Sequence, residues 1–376
     1  MPTQESLFAH PNNILNYLRD RGHTNITLKN VEPLRDKSHH LGKEFGFGDP
    51  IFVEFESSGT SHAIVIRTMR ANQFGHSRRS DRMGSLSDAY DTYNQTPMHI
   101  RALDVGTIDA HGHLYPMPPG EPFLVTEFIP GKIYAHDIEE CSTHKTASPS
   151  HKKRAAILAR YLVTLHAQKR DRLQHIRCLR DTLGSGEGIF GISDGYSPED
   201  PVVTPSRLER IEIAVLRWRW RLRHLSHRAA RTHGDFHPFN IVFAHNDTPV
   251  ILDCSRGAEG EPADDVVALS VNYLFFSLQN GEHFTGALRE LWTVFWETYL
   301  DESKDTEITH LVPPFFAWRI LVLACPTWYP KTSSATRERL VQVAENMLTG
   351  AHFDPFKIDD LLGPNQVFES SNTSHL

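Results

Sequence analysis

Hydrophobic and polar residues alternate with two different periods along this chain. In the first third, apolar segments of period two are separated by glycine-containing turns, which predicts β-strands. These segments lie at residues 26–34, 51–55, 62–68, 100–108 and 123–127. Two helices accompany them, one ending near Gly22 and one at residues 78–93. The pattern therefore predicts a small, strand-rich N-terminal part.

Beyond residue 131 the apolar positions recur at helical spacing. Ser148-Pro149 is a favourable N-cap and first-turn pair, and the apolar positions that follow share one helical face. Further helices are predicted at residues 206–227, 264–278, 283–300, 315–323 and 334–348. Residues 171–204 are rich in Gly, Asp, Ser and Pro, which predicts a long irregular insertion. The fold class is therefore predicted to be α+β.

One stretch concentrates residues that carry chemistry. His233-Gly234-Asp235 is followed by Asn240, five positions after the aspartate, and by Asp253 after thirteen more residues. Each residue type is common in turns, so any one of them alone is more often structural than functional. The joint agreement of residue types, spacings and strand context favours a functional site.

A predicted hairpin brings these residues together. Residues 241–243 and 250–252 are short β-type segments joined by a polar turn, and an antiparallel hairpin returns its second strand to the level where the first began. Asp253 is therefore expected near Asn240 and Asp235. A free carboxylate, an amide oxygen and a second carboxylate are the set that kinase-type phosphoryl transfer requires, since the latter two suit Mg²⁺.

These residues resemble the signature of the aminoglycoside phosphotransferase and choline kinase-like family, which is related to the protein kinases. Members phosphorylate small hydroxyl compounds with ATP or GTP. The family motif, HGDxxxxN followed by a metal-binding Asp and a G-x-P-x-x-D segment, appears at residues 233–240, 253 and 260–265. The resemblance covers residues 232–269 and, less fully, 122–131. One departure is that the residues after Asp253 are Cys-Ser-Arg-Gly, where the family usually has a bulky residue.

The resemblance implies a role for each matching residue. Asp235 would orient and deprotonate the acceptor hydroxyl, and Asn240 and Asp253 would hold Mg²⁺ between the phosphates. His233 and Asp265 would brace the loop. The implied fold is a bilobal protein-kinase-like one, with a β-rich N-lobe at 1–127, a mostly helical C-lobe at 128–365 and a disordered tail at 366–376.

The nucleotide side of such a fold needs a glycine turn over the phosphates and a cation on the third strand. Gly46 and Gly48 lie between two β segments and are candidates for that turn, although an ordinary hairpin fits equally well. Arg67 ends the 62–68 segment and is the candidate cation, with a surface arginine as the alternative reading.

Two further elements complete the predicted nucleotide side. Asp81 is the predicted acidic partner of Arg67, with Asp88 and Asp91 as competitors. The backbone from Glu127 to Ile129 is the predicted hinge that binds the adenine or guanine ring. The choice between ATP and GTP stays open.

Composition narrows the class of partner. The 376 residues carry a net charge of −7, which disfavours nucleic acid and anionic membranes and mildly favours a neutral or cationic substrate. The four scattered cysteines, the lack of an N-terminal apolar core and apolar runs of only about fifteen residues predict a cytoplasmic protein that does not span a membrane. The oligomeric state is not predicted.

Three other patterns suggest function but have simpler interpretations. Residues 186–191 match G-x-G-x-x-G without a preceding strand, so a loop is favoured over a nucleotide site. Residues 217–221 read Arg-Trp-Arg-Trp-Arg, and we predict a helix whose tryptophans pack inward while the arginines extend outward. His111 and His113 flank a glycine in a turn-like stretch, where a metal role is disfavoured.

The resemblance implies an acceptor that is a small molecule with a hydroxyl group, and an amine-bearing compound is one option. The acids of the 171–204 segment (Asp181, Glu187, Asp194, Glu199 and Asp200) would suit an amine, but they are equally those of a solvated loop. Two alternatives to an aminoglycoside phosphotransferase-like enzyme remain open. One is a metabolic kinase for a sugar, amino acid or amino alcohol, and the other is a catalytically idle kinase fold that binds a nucleotide or partner.

Overall fold

A computed structural model describes residues 10–33, 48–72, 74–95, 97–118, 120, 124, 126–245, 247–254, 259–281, 283–349 and 353–363. By internal contacts the chain divides into two compact units, Met1–Val125 and Thr126–Leu376. The predicted 366–376 tail lies outside the described residues.

The first unit is built around a three-stranded antiparallel sheet of order β1-β2-β3. Its elements are, in chain order, α1 (Pro11–Asp20), β1 (Ile26–Pro33), β2 (Gly48–Ser57), β3 (Thr60–Met69), α2 (Arg79–Tyr93), β4 (Gly106–Ile108) and β5 (Leu114–Pro116). Ile51, Val53 and Phe55 alternate along β2, so their side chains point to one face of the sheet. They form the core of this unit with Ile14 and Leu18 from α1.

The second unit is mostly helical and contains short strands. Its elements are β6 (Lys132–Ile133), α3 (Tyr134–Cys141), α4 (Pro149–His166), α5 (Arg172–Gly184), α6 (Ile189–Asp194), α7 (Pro205–Leu222), β7 (Ala230–Arg231), β8 (Ile241–Phe243), β9 (Pro249–Ile251), β10 (Glu259–Gly260), α8 (Pro262–Asn280), α9 (Gly286–Ser303), α10 (Pro313–Ala324) and α11 (Ser334–Leu348). Four short 3₁₀ helices lie at 226–228, 238–240, 308–310 and 355–361.

The core of the second unit surrounds α8 and α10. Nearly every residue of these two helices is buried, which explains why their sequences are mostly apolar. A cluster of large aromatic side chains lies in this core and includes Trp292 and Trp296 of α9 and Phe316 of α10. Among the described residues, the helices include none with the length and apolar character needed to cross a membrane.

The predicted α+β class is confirmed, and most predicted elements appear with small shifts of their ends. Three predictions need correction. Residues 171–204 are not irregular, because α5 and α6 occupy much of this segment. Only residues 106–108 of the predicted 100–108 strand are extended in a sheet. Trp220 is 52% exposed, while Trp218 is buried.

Local geometry explains two of these corrections. Asp171 accepts hydrogen bonds from the backbone N–H groups of the first turn of α5, so this polar residue is an N-cap and not part of a loop. The two tryptophans are two positions apart, which on a helix separates them by about 200°. They therefore cannot share the buried face of α7.

Candidate active site

A loop between β7 and β8 carries the first part of the candidate site. Gly234 has a φ of +82°, in the left-handed region that glycine adopts without strain. This conformation directs the N–H groups of His233 and Gly234 toward Asp265, whose two carboxylate oxygens accept them at 2.7 and 2.8 Å. The sequence His-Gly-Asp therefore forms a loop that is held by the start of α8.

Asp265 is fully buried beneath this loop. Its Oδ2 atom also lies 3.2 Å from Nε2 of His166, the last residue of α4, and the other ring nitrogen of His166 contacts the hydroxyl of Tyr299 at 2.9 Å. Burial alone raises the pKa of Asp265, but the hydrogen bond with His166 and the N–H of His233 outweigh it and hold the pKa below its ordinary value. Asp265 is thus an ionised anchor below the loop.

Asp235 and Asn240 lie in direct contact. The side-chain nitrogen of Asn240 donates to the backbone carbonyl of Asp235 at 3.1 Å and lies 3.5 Å from its Oδ2 atom. Nε2 of His237 is also 3.5 Å from Oδ2. Since the amide nitrogen of Asn240 is engaged with Asp235, its amide oxygen is the atom that suits a metal ion.

The hairpin places Asp253 beside Asn240. Ile241 pairs with Ile251, and the N–H of Leu252 donates to the carbonyl of Asn240 at 2.8 Å. Asp253 follows directly and has a φ of +48°, a left-handed conformation that costs free energy for a non-glycine residue and that Asp tolerates better than most. The predicted hairpin is therefore present, and it pairs Asn240 with Leu252, the residue directly before Asp253.

Arg319 is a site residue that the sequence reasoning missed. Its guanidinium donates to Oδ1 of Asp235 at 2.6 Å and to Oδ1 of Asp264 at 2.6 Å, and also to the carbonyl of Gly234 at 3.0 Å. Burial by itself lowers the pKa of Arg319, but the carboxylates of Asp264 and Asp235 raise it above its ordinary value. The sequence contained one signal for this residue: Arg319 is a single charge inside the apolar run at 311–325. A cation buried in such a run requires an acidic partner.

The residues predicted for the nucleotide side lie on separate elements. Arg67 is exposed on β3, and Gly48 begins β2 opposite Met69. Asp81 accepts the N–H of Arg78 at 2.7 Å and so caps α2. Glu127 and Ile129 lie in a segment without regular structure, and Gly46 lies outside the described residues. The roles of these residues stay predictions.

A cavity of about 500 Å³ in the first unit borders Arg67. Residues of β3, α2 and the 100–116 segment line it, most of them apolar. Polar side chains contribute as well: Tyr17 donates to Asp104 at 3.2 Å, and Arg21, which is not part of the lining, pairs with the same carboxylate at 3.1 Å. Burial and the charge of Asp104 raise the pKa of Tyr17 to about 12, so the phenol stays neutral.

A second group of potential metal ligands is less suitable. Asp137, Glu140 and His151 bring their ligand atoms within 4.8 Å of one another. Lys132 lies 2.8 Å from Asp137 and 3.1 Å from Glu140, and Arg154 also pairs with Asp137. Because these cations already neutralise the carboxylates, the group forms an ion-pair network and not a metal site.

Two of the acids that were considered as binding groups for an amine-bearing acceptor, Asp181 and Asp200, already form ion pairs within the chain. Asp200 is buried, pairs with Arg337 at 2.5 Å and accepts the N–H groups of Val202 and Val203. Asp181 pairs with Arg177 at 3.1 Å and with Arg180 at 3.2 Å. Both acids therefore already have cationic partners within the chain. Two glycines of the G-x-G-x-x-G match at residues 186–191 have packing roles, since a Cβ on Gly188 or Gly191 would collide with a neighbouring backbone carbonyl.

Comparison with known proteins assigns the chain to a family of phosphotransferases. Residues 94–299, more than half of the chain, match the model of the phosphotransferase enzyme family, so the chain belongs to that family. The predicted enzyme class, a phosphotransferase that uses an alcohol group as acceptor, is confirmed. Comparison with curated proteins gave no significant match.

Three solved structures resemble the chain at low identity. The choline kinase LicA from Streptococcus pneumoniae is 13% identical, with 90% of this chain and 99% of that one covered and a TM-score of 0.35. The macrolide 2'-phosphotransferase MphH from Brachybacterium faecium is 15% identical (88% and 97% covered, TM-score 0.29). A Plasmodium vivax ethanolamine kinase is 12% identical (95% and 85% covered, TM-score 0.35). At these values the likenesses do not bear on the substrate of this chain.

Proposed function

We propose that this chain is a magnesium-dependent kinase that transfers the γ-phosphate of ATP or GTP to a hydroxyl group of a small molecule. The observation that carries the proposal is the arrangement of Asp235, Asn240 and Asp253. One acid and one amide are in contact on a single loop, and the backbone N–H of Leu252, the residue before the second acid, donates to the carbonyl of Asn240.

Each of the three side chains has a distinct role in this proposal. The carboxylate of Asp235 accepts the hydrogen bond of the acceptor hydroxyl, orients its oxygen and takes up its proton as that oxygen bonds to the γ-phosphorus and the bond from the γ-phosphorus to the departing ADP or GDP breaks. The amide oxygen of Asn240 and the carboxylate of Asp253 hold Mg²⁺, because hard oxygen ligands are those that this ion prefers. When bound, Mg²⁺ neutralises charge on the phosphate oxygens. His233 and Asp265 keep the loop in place and take no part in the chemistry.

The nucleotide-binding residues are part of the same proposal. Arg67 supplies positive charge for the phosphates, with Asp81 as its acidic partner, and Gly46 and Gly48 are assigned to phosphate binding. Backbone groups from Glu127 to Ile129 bind the purine ring. We also propose a cytoplasmic location, in keeping with the four free cysteines.

The acceptor class is proposed more broadly. A net charge of −7 favours a neutral or cationic compound, such as an aminoglycoside, an amino alcohol or a sugar. Because Asp181 and Asp200 are paired with arginines, the 171–204 segment gives less support to an amine than its composition suggests. A metabolic kinase for an amino alcohol, amino acid or sugar is therefore the second candidate.

The test has a binding step and a turnover step. Thermal-shift titration with MgATP and MgGTP measures nucleotide binding, and ADP or GDP release is then followed with aminoglycosides, choline, ethanolamine, homoserine and sugars as acceptors. Asp235→Asn is expected to lower kcat by about a hundredfold or more while nucleotide binding and the fold are retained. Asp181→Asn serves as a control that changes an acid outside the site.

Two results would contradict the proposal. If neither nucleotide raised the melting temperature, the chain would be an idle member of the fold. If Asp235→Asn retained wild-type turnover on an active acceptor, the mechanism would be wrong although the enzyme class stood.

A further inference from the structure

Helix α7 carries apolar residues on two opposite faces. One set is buried in the core of the second unit and includes Val215 and Trp218. The other set consists of Ile213, Leu216 and Trp220, which are between 45% and 52% exposed. A surface helix of a globular protein normally has one apolar stripe, which faces the core. Packing in the core therefore does not account for the outer stripe of α7.

Four arginines flank this outer stripe. With about 3.6 residues per turn, Ile213 and Leu216 lie within about 40° of Trp220 around the helix axis. Arginines follow on each side of Trp220, at about 60° and about 100°. They are Arg217 and Arg221 on one side and Arg223 and Arg219 on the other. We refer to the three apolar residues and the four arginines together as the outer face of α7.

The positive charge of the outer face is not neutralised within the described part of the chain. There, none of its four arginines forms an ion pair with a carboxylate. The guanidinium carbons of Arg219 and Arg223 lie 5.4 and 5.0 Å from the ring centre of Trp220. By contrast, Arg207 at the start of α7 pairs with Glu345 at 2.8 Å. A surface with unpaired cations of this kind attracts an anionic partner.

The net charge of the whole chain does not exclude such a partner. A net charge of −7 disfavours anionic surfaces for the molecule as a whole. At physiological ionic strength, however, exposed charges act over about 8 Å, so the charges near a contact decide its sign. The sequence from residue 213 to residue 234 contains no acid. The local charge is therefore opposite to the net charge.

We propose that the outer face of α7 binds the surface of a membrane that contains anionic lipids. The arginines at its edges bind lipid phosphates, to which a planar guanidinium offers paired donors. Trp220 lies at the level of the headgroups, where tryptophan is enriched in membrane proteins, and Ile213 and Leu216 contact the adjoining acyl region. The opposite face of α7 stays packed on the core. This surface is additional to the proposed kinase site and does not depend on its activity.

The apolar residues of the outer face favour a membrane over a nucleic acid. Single-stranded nucleic acids bind aromatic side chains on which successive bases stack. Of the two tryptophans in the Arg-Trp-Arg-Trp-Arg run, Trp218 is buried and only Trp220 is exposed. Ile213 and Leu216 are aliphatic, so they offer no stacking surface but suit the acyl region of a bilayer. A second copy of the same face is disfavoured because arginines would then meet arginines.

Vesicle binding by the full chain tests the proposal. Co-sedimentation compares vesicles of phosphatidylcholine alone with vesicles of equal parts phosphatidylcholine and phosphatidylserine. We expect binding to the mixed vesicles only, and we expect added salt to weaken it because salt screens exposed charges. Arg217→Glu should weaken this binding on the order of tenfold. Its melting temperature should match that of the wild type, because the described structure gives the Arg217 side chain no hydrogen bond or ion pair.

A matched control separates the outer face from net charge. Lys145 is an exposed cation in the loop between α3 and α4, and it has no acidic partner within the described ranges. Lys145→Glu changes the net charge by the same amount as Arg217→Glu and should leave vesicle binding unchanged. A second measurement uses brominated phosphatidylcholine in the mixed vesicles, which quenches the fluorescence of tryptophans that contact it. Quenching is expected in the wild type and should be mostly lost in Trp220→Phe.

Several results would overturn the inference. These are no binding to the mixed vesicles, unchanged binding in Arg217→Glu, and equal losses in Arg217→Glu and Lys145→Glu, which would show attraction by net charge alone. Quenching that persists in Trp220→Phe would place another surface of the protein on the membrane. Single-stranded oligodeoxythymidine and polyglutamate are tested alongside. Binding to one of them without binding to the mixed vesicles would assign the face to a nucleic acid or an acidic protein. None of these results bears on the proposed kinase activity, which is measured separately by ADP release.

Discussion

The imidazole ring of His233 joins the candidate catalytic loop to the metal-side hairpin. Its Nε2 atom donates to the carbonyl of Leu252 at 2.7 Å, and its Nδ1 atom accepts the N–H of Asp235 at 3.2 Å. Since a carbonyl only accepts and an amide N–H only donates, these contacts require the neutral tautomer with its proton on Nε2. The side chain of His233 thus connects the backbone next to Asp253 with the backbone of Asp235 by hydrogen bonds.

His233→Ala is expected to loosen this connection and to reduce both stability and turnover. Loss of two partly buried hydrogen bonds should lower the free energy of unfolding by about 1–3 kcal/mol. kcat should also fall under conditions where the variant is fully folded, because the loop with Asp235 and the hairpin with Asp253 are no longer held together. Urea unfolding and ADP release measure the two effects.

His175 offers a matched control for the His233 prediction. It is also a buried histidine whose Nε2 atom contacts a backbone carbonyl, that of Leu222, at 2.9 Å. His175→Ala should lower stability by a similar amount and leave kcat unchanged. Equal losses of kcat in the two variants would contradict the role given to His233.

Asp265→Asn is expected to destabilise the loop in a pH-dependent way. The amide presents a donor to one of the backbone N–H groups that the carboxylate accepts, so we expect a loss of about 3 kcal/mol at neutral pH. The folded-state pKa of Asp265 lies below its ordinary value of 3.8, so the stability from its ionised form is fully present above that value. It is lost only as the pH falls through the depressed folded-state pKa.

Urea unfolding over a range of pH measures this dependence. The difference between wild type and Asp265→Asn should stay constant from neutral pH down to about pH 4 and shrink only in more acidic solution. A difference that already shrinks near about pH 6 would mean that the pKa of Asp265 is raised, contrary to the contacts with His166 and His233.

Asp253→Asn is expected to change the magnesium requirement. The amide retains an oxygen ligand but removes a negative charge, so the Mg²⁺ concentration for half-maximal activity should rise about tenfold or more. Activity at saturating Mg²⁺ should recover in part. Asp247→Asn, in the turn of the same hairpin, removes an acid that pairs with Arg154 and should leave the Mg²⁺ dependence unchanged. An unchanged Mg²⁺ dependence in Asp253→Asn would remove this residue from the proposed metal site.

The parts of the site that the sequence predicted are those set by local geometry. A hairpin of two short apolar segments determines where Asp253 lies relative to Asn240, because antiparallel pairing fixes the register. The buried helices α8 and α10 were predicted for a similar reason, since both contain long and mostly apolar runs. Short-range pattern was sufficient for these elements.

What the sequence did not predict depends on contacts between distant positions. Arg319 is 84 residues from Asp235, and Arg337 is 137 residues from Asp200, so no local pattern links either pair. The 171–204 segment was misinterpreted because its polar residues resembled those of a loop. Asp171 is an N-cap, and Gly188 and Gly191 allow close backbone packing, so this composition serves helix ends.

Arg337→Met tests whether the 171–204 segment is a folded part of the second unit. Its guanidinium pairs with the buried Asp200 and also donates to the carbonyl of Ala324 at 2.7 Å. Removing one member of a buried pair leaves the other charge uncompensated, so we expect a loss of about 3–5 kcal/mol in urea unfolding. The double variant Arg337→Met with Asp200→Asn should recover part of this loss, because the unpaired charge is removed.

Acceptor preference should be the same in Asp200→Asn as in wild type. A change in preference without a loss of stability would instead place Asp200 at the acceptor.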